Sequence, residues 1–431
     1  TAGDNNTKKA ISEGTVTIAA NGDNASVSGG KNSEAKSFNF GDVTFTKEGT
    51  YTFDIKETVP DSKAGGMTYD THTAKVTVVV KYDKDYKLKA EVSYDNGTVS
   101  EKTDSAVFKN KYEASHAYST SGGLNVEKVL NGRTMKVGDF AFTIEPSKGA
   151  PAISDSDRDF TNVERRASGR AETMKKLQGL VFTEADAGET YIYTVAETAG
   201  ELSGVKYDGT VYTVAIKVID NGDGTMHTVT TITWTAADGI NKEAVYDSSD
   251  VEAGTPTVRF DNSYKAADAD PVDITDGFQK VLKGRDWKDS DSFTFTITNT
   301  EKPESVEAAP MPMKDGELVT EVAVTSADVQ YGKAPISFGN ITFKKAGVYK
   351  YEVKENVPQD KAAGMVYDDT ARTITVTVTD NENGQLEAVV TTVAGSRTFT
   401  NKYETEDLPL DDVCGVSVTW CIIPHTSSFS E

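Results

Sequence analysis

One short pattern, Phe-x-Asn-x-Tyr, occurs three times and constrains the fold of this chain more than any other feature. It closes the segments AVFKNKYE (106–113), TVRFDNSYK (257–265) and RTFTNKYE (397–404), as Phe108/Asn110/Tyr112, Phe260/Asn262/Tyr264 and Phe399/Asn401/Tyr403. Alternate side chains of a β-strand share a face, so each asparagine falls between two aromatics on the buried side. A buried amide is costly unless something pairs with it. Two further apolar stripes supply ionisable candidates. One ends in glutamate: Tyr51/Phe53/Ile55/Glu57, Tyr191/Tyr193/Val195/Glu197 and Tyr349/Tyr351/Val353/Glu355. The other carries a lysine inside it: Leu124/Val126/Lys128/Leu130 and Phe278/Lys280/Leu282.

The stripes recur in blocks. FNFGDVTFTKEGTYTFDIKETVP (38–60) and GGMTYDTHTAKVTVVVKYD (65–83) are echoed by ISFGNITFKKAGVYKYEVKENVP (336–358) and AAGMVYDDTARTITVTVTD (362–380). A more divergent block lies between them, at 179–200 and 203–220. Repetition of this kind marks a tandem architecture, and 431 residues suffice for about three domains. Period-two runs of Val, Thr, Tyr and Phe between Gly/Asp/Asn turns read as antiparallel strands. Asp95-Asn96-Gly97 and Asn221-Gly222-Asp223-Gly224 are hairpin-type turn signals. The expected class is all-β, with tandem immunoglobulin-like β-sandwich domains arranged end to end.

Composition places the boundaries at 1–114, 121–266 and 272–404, with an irregular tail at 405–431. The segments 113–123 and 265–273 read as short polar linkers. The second domain holds an extra stretch at about 146–178, which reads as a solvated insertion with room for a helix. It concentrates Arg165, Arg166, Arg170, Lys175 and Lys176, so a partner site is the other reading. The first domain carries Glu57 and Asn110 without the lysine strand. Lys8, Lys9, Lys31 and Lys36 sit in polar surroundings. This domain is therefore expected to be incomplete, to start within a longer chain at Thr1, and to expose a strand edge.

With 45 Lys+Arg against 67 Asp+Glu, the net charge is −22. That sign opposes nucleic-acid binding, which needs a basic footprint, and docking on anionic lipid. Cys414 and Cys421 both lie in the tail, so the domains have no disulfide framework. The apolar stretch 413–424 is too short to cross a bilayer, and no membrane span is expected. The start carries no signal-peptide pattern. His72, His116, His227 and His425 are scattered without ligand or triad spacing, and no cofactor is implied. Asp155/Asp157/Asp159 and the segments DNGDG and DNENG are acidic, but none matches a calcium loop, and they read as solvated turns.

Suppose Lys128, Glu197 and Asn262 meet in one core. Burial disfavours charge on both ionisable groups, lowering the lysine pKa and raising that of the carboxyl. A neutral amine is a nucleophile. A protonated glutamate would polarise the asparagine carbonyl and then protonate the leaving nitrogen. Contact between the groups supplies an effective molarity on the order of 10⁵–10⁸ M. Ammonia leaves, an amide joins Lys to Asn, and nothing turns over, so no enzyme in the usual sense is expected. Lys280, Glu355 and Asn401 form a second set. The competing reading is a buried Lys–Glu pair with a neighbouring amide.

The segments VEKVL (126–130), YTVAETAG (193–200), GVKYDGTVYTV (204–214) and VRFDNSY (258–264) resemble the isopeptide-containing domain of streptococcal major pilins, to which B-type repeats of collagen adhesins are related. FQKVLKGRDW (278–287), YEVKENVP (351–358), GMVYDDTARTITV (364–376) and TFTNKYE (398–404) resemble it again, and the first domain does so from its middle onward. The resemblance implies Lys128–Asn262 and Lys280–Asn401 bonds with Glu197 and Glu355 as catalysts. It also implies a structural stalk segment at a Gram-positive cell surface, wall-anchored in its parent protein, with other subunits of a surface fibre or a host surface ligand as partners. No YPKN-like motif appears, and Leu408-Pro409-Leu410 runs into Asp411-Asp412 rather than a sorting signal. A host-binding adhesin module using sandwich loops or the 146–178 stretch is the alternative.

Overall fold

The computed structural model describes residues 1–20, 22–28, 34–97, 103–121 and 123–405. Lys31 and every expectation placed on the tail beyond 405, including Cys414, Cys421 and the apolar stretch, lie outside the described residues. The chain divides into two compact units: Thr1–Gly200 with Tyr207–Asn262, and Glu201–Lys206 with the residues from Ser263 onward.

Most of the first unit is a β-sandwich. One sheet runs in the order Asp159–Thr161, Ala141–Pro146, Thr190–Thr198, Val211–Asp220, Met226–Thr235, Asn241–Asp247. The lysine, glutamate and asparagine strands anticipated from the stripes are Leu124–Asn131, Thr190–Thr198 and Thr257–Tyr264. Leu124–Asn131 lies between Glu172–Leu177 and Thr257–Tyr264 in the opposite sheet. Strict alternation explains why these segments are strands: Tyr212, Val214, Ile216 and Val218 are buried, and the residues between them face outward. Val126, Val258 and Phe260 close the core from the other sheet. The turn Asn221–Gly224 joins two neighbouring strands as expected, with Gly222 and Gly224 at positive φ.

The 146–178 stretch is not a solvated insertion. Its helix is a single turn, Asp155–Arg158, but the strands that follow extend both sheets. Asp159–Thr161 pairs with Ala141–Pro146, and Glu172–Leu177 pairs with Leu124–Asn131. Buried Glu172 accepts the backbone N–H groups of Val163 and Glu164, both at 2.9 Å, and the Tyr193 hydroxyl donates to the Pro151 carbonyl at 3.0 Å. Covering two sheet edges gives these residues a structural task. The third repeat does the same with Glu321–Thr325 and Lys333–Pro335.

The second unit holds that third repeat. A five-stranded sheet, Glu321–Thr325, Ser292–Glu301, Gly347–Glu355, Arg372–Asp380, Leu386–Ala394, faces a four-stranded one, Lys333–Pro335, Gln279–Lys283, Thr398–Tyr403, Met365–Val366. Gln279–Lys283 and Thr398–Tyr403 pair in parallel, with Leu282 opposite Asn401. One cluster that includes Phe295, Phe338, Phe343, Tyr351, Val376 and Phe399 fills the space between the sheets.

The first repeat is a reduced version, with a sheet Gly49–Lys56, Thr73–Tyr82, Leu88–Asp95 and a small pair, Met67–Thr68 with Lys111–Tyr112. At the Gly49–Lys56 edge of the larger sheet, the start of the chain adds backbone cover. Gly3 donates to the Thr52 carbonyl at 2.8 Å and Asp54 to the Thr1 carbonyl at 2.8 Å. The following helix, Asn5–Ser12, is capped by Asp4 and buries Ala10 against Val16 and Tyr51.

Candidate cross-linking sites

In the second repeat the three strands bring Lys128, Glu197 and Asn262 together. The Lys128 ammonium lies 2.9 Å from Oε1 and 3.0 Å from Oε2 of Glu197. The Asn262 amide nitrogen donates to Oε1 of the same carboxyl at 2.7 Å. The Lys128 and Glu197 side chains are both 0% exposed. Phe140 and Phe142 wall the amine, their ring centroids 4.6 and 5.9 Å from Nζ. The third repeat repeats the set. Lys280 Nζ is 2.5 Å from Oε2 of Glu355, Asn401 donates to Oε1 at 2.6 Å, and Phe293 and Phe295 stand where Phe140 and Phe142 do.

Burial dominates the electrostatics. Loss of hydration pushes the Lys128 pKa down against the opposing pull of Glu197, and pushes Lys280 down to about 8. The same loss raises Glu197 and Glu355 above the ordinary carboxyl range. The free energy separating the ion pair from the neutral amine and acid is thereby reduced, and the neutral form is the reactive one.

The other half of each amide is held by a group the sequence reading passed over. The backbone N–H of Asp208 donates to Oδ1 of Asn262, and that of Asp368 to Oδ1 of Asn401. An N–H only donates, so the carbonyl oxygen must face it and the amide nitrogen must face the glutamate. The glutamate was expected both to polarise the carbonyl and to protonate the leaving nitrogen; here it touches the nitrogen, and a main-chain donor touches the oxygen. The signal was present in the Tyr-Asp pairs Tyr207-Asp208 and Tyr367-Asp368 of the repeated blocks. A main-chain role leaves no requirement on side-chain type, so only its repetition pointed to it.

In the first repeat Glu57 and Asn110 also meet, at 2.7 Å, and Asp70 donates its N–H to Asn110 at 2.8 Å. No lysine joins them among the described residues. Lys8 and Lys9 lie on the exposed side of the helix, and Lys36 bonds the Ser28 carbonyl. Asn110 is exposed, unlike its two counterparts.

The acidic segments considered for calcium engage protein donors. Asp157 pairs with Lys175 at 2.8 Å, Arg158 sits between Asp155 and Asp159, and Asp220 and Asp380 accept hydrogen bonds in their turns.

The sequence profile of the Spy0128-like isopeptide containing domain matches residues 1–113, 124–265 and 277–404. The chain belongs to that family. The isopeptide-containing domain thus occurs three times, and its first copy is matched from residue 1, ahead of the block at 38 where the resemblance was first legible. Among solved structures, the chain is similar to the T-13 major pilin of Streptococcus pyogenes, with 16% identity over 67% of this chain and 96% of that one, at a TM-score of 0.22. It is likewise similar to the T3.2 major pilin of the same organism, with 18% identity, 65% and 97% coverage and a TM-score of 0.20. No curated protein matches the chain. Membership rests on the family profile.

Proposed function

We propose that each of the two complete isopeptide-containing domains joins its own lysine and asparagine once, and that the chain is a force-carrying stalk segment of a Gram-positive surface fibre. One observation carries the reading: Glu197 and Glu355 each touch both reactants. The lysine passes a proton to the glutamate, and its freed lone pair attacks Cγ of the asparagine. The backbone N–H of Asp208 or Asp368 receives the charge that develops on Oδ1. The glutamate then protonates Nδ2, the C–N bond breaks and ammonia departs. The attacking nitrogen gives up its extra proton to the carboxylate, which is left neutral beside a new amide. No external reagent is needed and no second turnover is possible.

Membership of the isopeptide-containing family supports the location and the fibre. Domains without cysteine gain from another kind of covalent link, and a bond between first and last strands puts the load on a covalent path. The competing reading, host-ligand binding through 146–178, draws less support. That stretch is built into both sheets, and Lys175 and Arg166 are engaged by Asp157 and Glu164.

Intact mass tests the proposal. The purified chain should weigh two ammonias less than its sequence, and Glu197→Ala and Glu355→Ala should each restore one. An unshifted mass would leave two buried ion pairs and no covalent load path.

A further inference from the structure

The tyrosine of the Phe-x-Asn-x-Tyr motif has no part in the chemistry above, yet two of its three copies do the same thing elsewhere. In the first unit, the Tyr112 hydroxyl donates to Oδ1 of Asp220 at 2.8 Å and accepts the N–H of Gly224 at 3.1 Å. In the second unit, the Tyr264 hydroxyl donates to Oδ1 of Asp380 at 2.7 Å and accepts the N–H of Gly384 at 3.1 Å. Each tyrosine thus closes the last strand of one repeat onto an Asp-x-x-x-Gly hairpin turn of the next. Main-chain contact is close at both places. A Cβ added to Gly66 would stand 2.6 Å from Cα of Gly224, and one added to Gly204 would stand 3.1 Å from Cα of Gly384. Backbone follows the same rule: Ser115 bridges Thr225, and Ala267 bridges Gln385, both in parallel.

The third repeat presents the same face. Gly364 has the positive φ of Gly66 and Gly204, and accepts the N–H of Glu404 as they accept those of Glu113 and Lys265. The atoms nearest a Cβ on Gly364 are the Glu404 carbonyl oxygen and the Tyr403 ring, with no hairpin glycine beside them. The Tyr403 hydroxyl has no hydrogen-bond partner among the described residues. We propose that the face formed by Tyr403 and Gly364 is a docking site for the Asp-x-x-x-Gly β-hairpin of a further isopeptide-containing domain.

Among the described residues no hairpin is left over to fill the site. The hairpins at Asp220 and Asp380 are already engaged, and the first repeat has Tyr82 and Tyr86 where the aspartate and glycine belong. Tyr86 keeps the left-handed conformation, with φ 56°, and is 88% exposed. It carries a ring where the joint needs bare backbone. The site therefore selects by two features, an acceptor for the tyrosine proton and a glycine that lets two main chains touch. The inference is independent of whether the lysines form bonds.

The test extends the chain by repeating residues 266–404 after Glu404 and follows deuterium uptake of the peptide spanning 380–386. The resident and appended copies give the same peptide, so docking of both yields one slow envelope. Tyr264→Phe and Tyr403→Phe should each move half of that envelope to exchange about tenfold faster, the effect of one lost hydrogen bond. Two equal envelopes in the unsubstituted chain would overturn the proposal, whether the appended copy is undocked or fails to fold beside Glu404. So would a Tyr403→Phe change that leaves the envelope whole.

Discussion

The main-chain N–H of Asp208 reaches Oδ1 of Asn262 across 2.6 Å, and its carboxylate accepts the N–H of Asp261 at 2.8 Å and of Thr210 at 2.9 Å. One residue thus clamps its loop to the asparagine strand from both sides. Asp208→Ala keeps the donor but loses the clamp, so Lys128–Asn262 bond formation after refolding should slow by about tenfold, less than the 10²–10³ typical of a removed oxyanion donor. Asp208→Asn, which retains an acceptor oxygen, should slow it less. Mass spectra of quenched time points give the rates, and a wild-type rate for the alanine variant would deny the loop this role.

Lys280, lowered to about 8, and Glu355, raised, form one coupled unit. Their charged and neutral pairs hold the same number of protons, so passing between them requires no exchange with solvent. The rate of bond formation should therefore be flat around neutrality. It should fall in acid, where the carboxyl takes up a proton while the lysine keeps its own, so that the pair holds two and no free amine forms. It should fall again in alkali, as the pair loses the proton that the leaving nitrogen needs. Refolding Glu197→Ala across a pH series isolates this bond. A rate that climbs steadily with pH would mean that free amine alone is limiting.

Asn262→Ala and Asn401→Ala remove the proposed link while leaving each Lys–Glu pair in place. A tie closing about 130 residues is worth roughly 4–5 kcal/mol in the chain-entropy account, so each variant should unfold about 15 °C lower in its own domain. Calorimetry checks this, with exchange mapping to assign the transition. A shift of only a degree or two would show that the link adds nothing to an already paired core.

In the first repeat, Glu57→Ala and Asn110→Ala should leave the intact mass unchanged apart from the substitution. A restored ammonia in either would reveal an acceptor there.

Asp70 is held down at about 2 by the N–H of Lys109, and by His72. Its folded pKa lies below the ordinary 3.8, so its contribution is complete above about pH 4 and vanishes as pH falls toward 2. The stability gap between wild type and Asp70→Asn, read from exchange of the 73–82 strand, should close over that window. A gap independent of pH would remove Asp70 as the cause.

What was legible in the sequence was whatever followed the two-residue period. The stripes ending at Glu197 and Glu355, and those containing Lys128, Lys280, Asn262 and Asn401, could be placed because a strand has only two faces and aromatics marked the buried one. The 146–178 stretch defeated the same reasoning. Its strands are three and six residues long, one is edged with lysines, and edge strands need only one apolar side. Asp208 and Asp368 escaped because a main-chain donor imposes no pattern. The cover over Gly49–Lys56 escaped because Thr1–Gly3 act through backbone alone.

Gln279–Lys283 and Thr398–Tyr403 run side by side in the same direction. With the proposed bond between Lys280 and Asn401 in place, the roughly 120 residues between them lie off the line of tension. Released, that segment would add about 400 Å of slack to the chain at full extension. Held inside the link, it adds none. A strand of such domains would be inextensible as well as stable, transmitting a tug at one end to the other without lengthening, even if a sandwich were to melt.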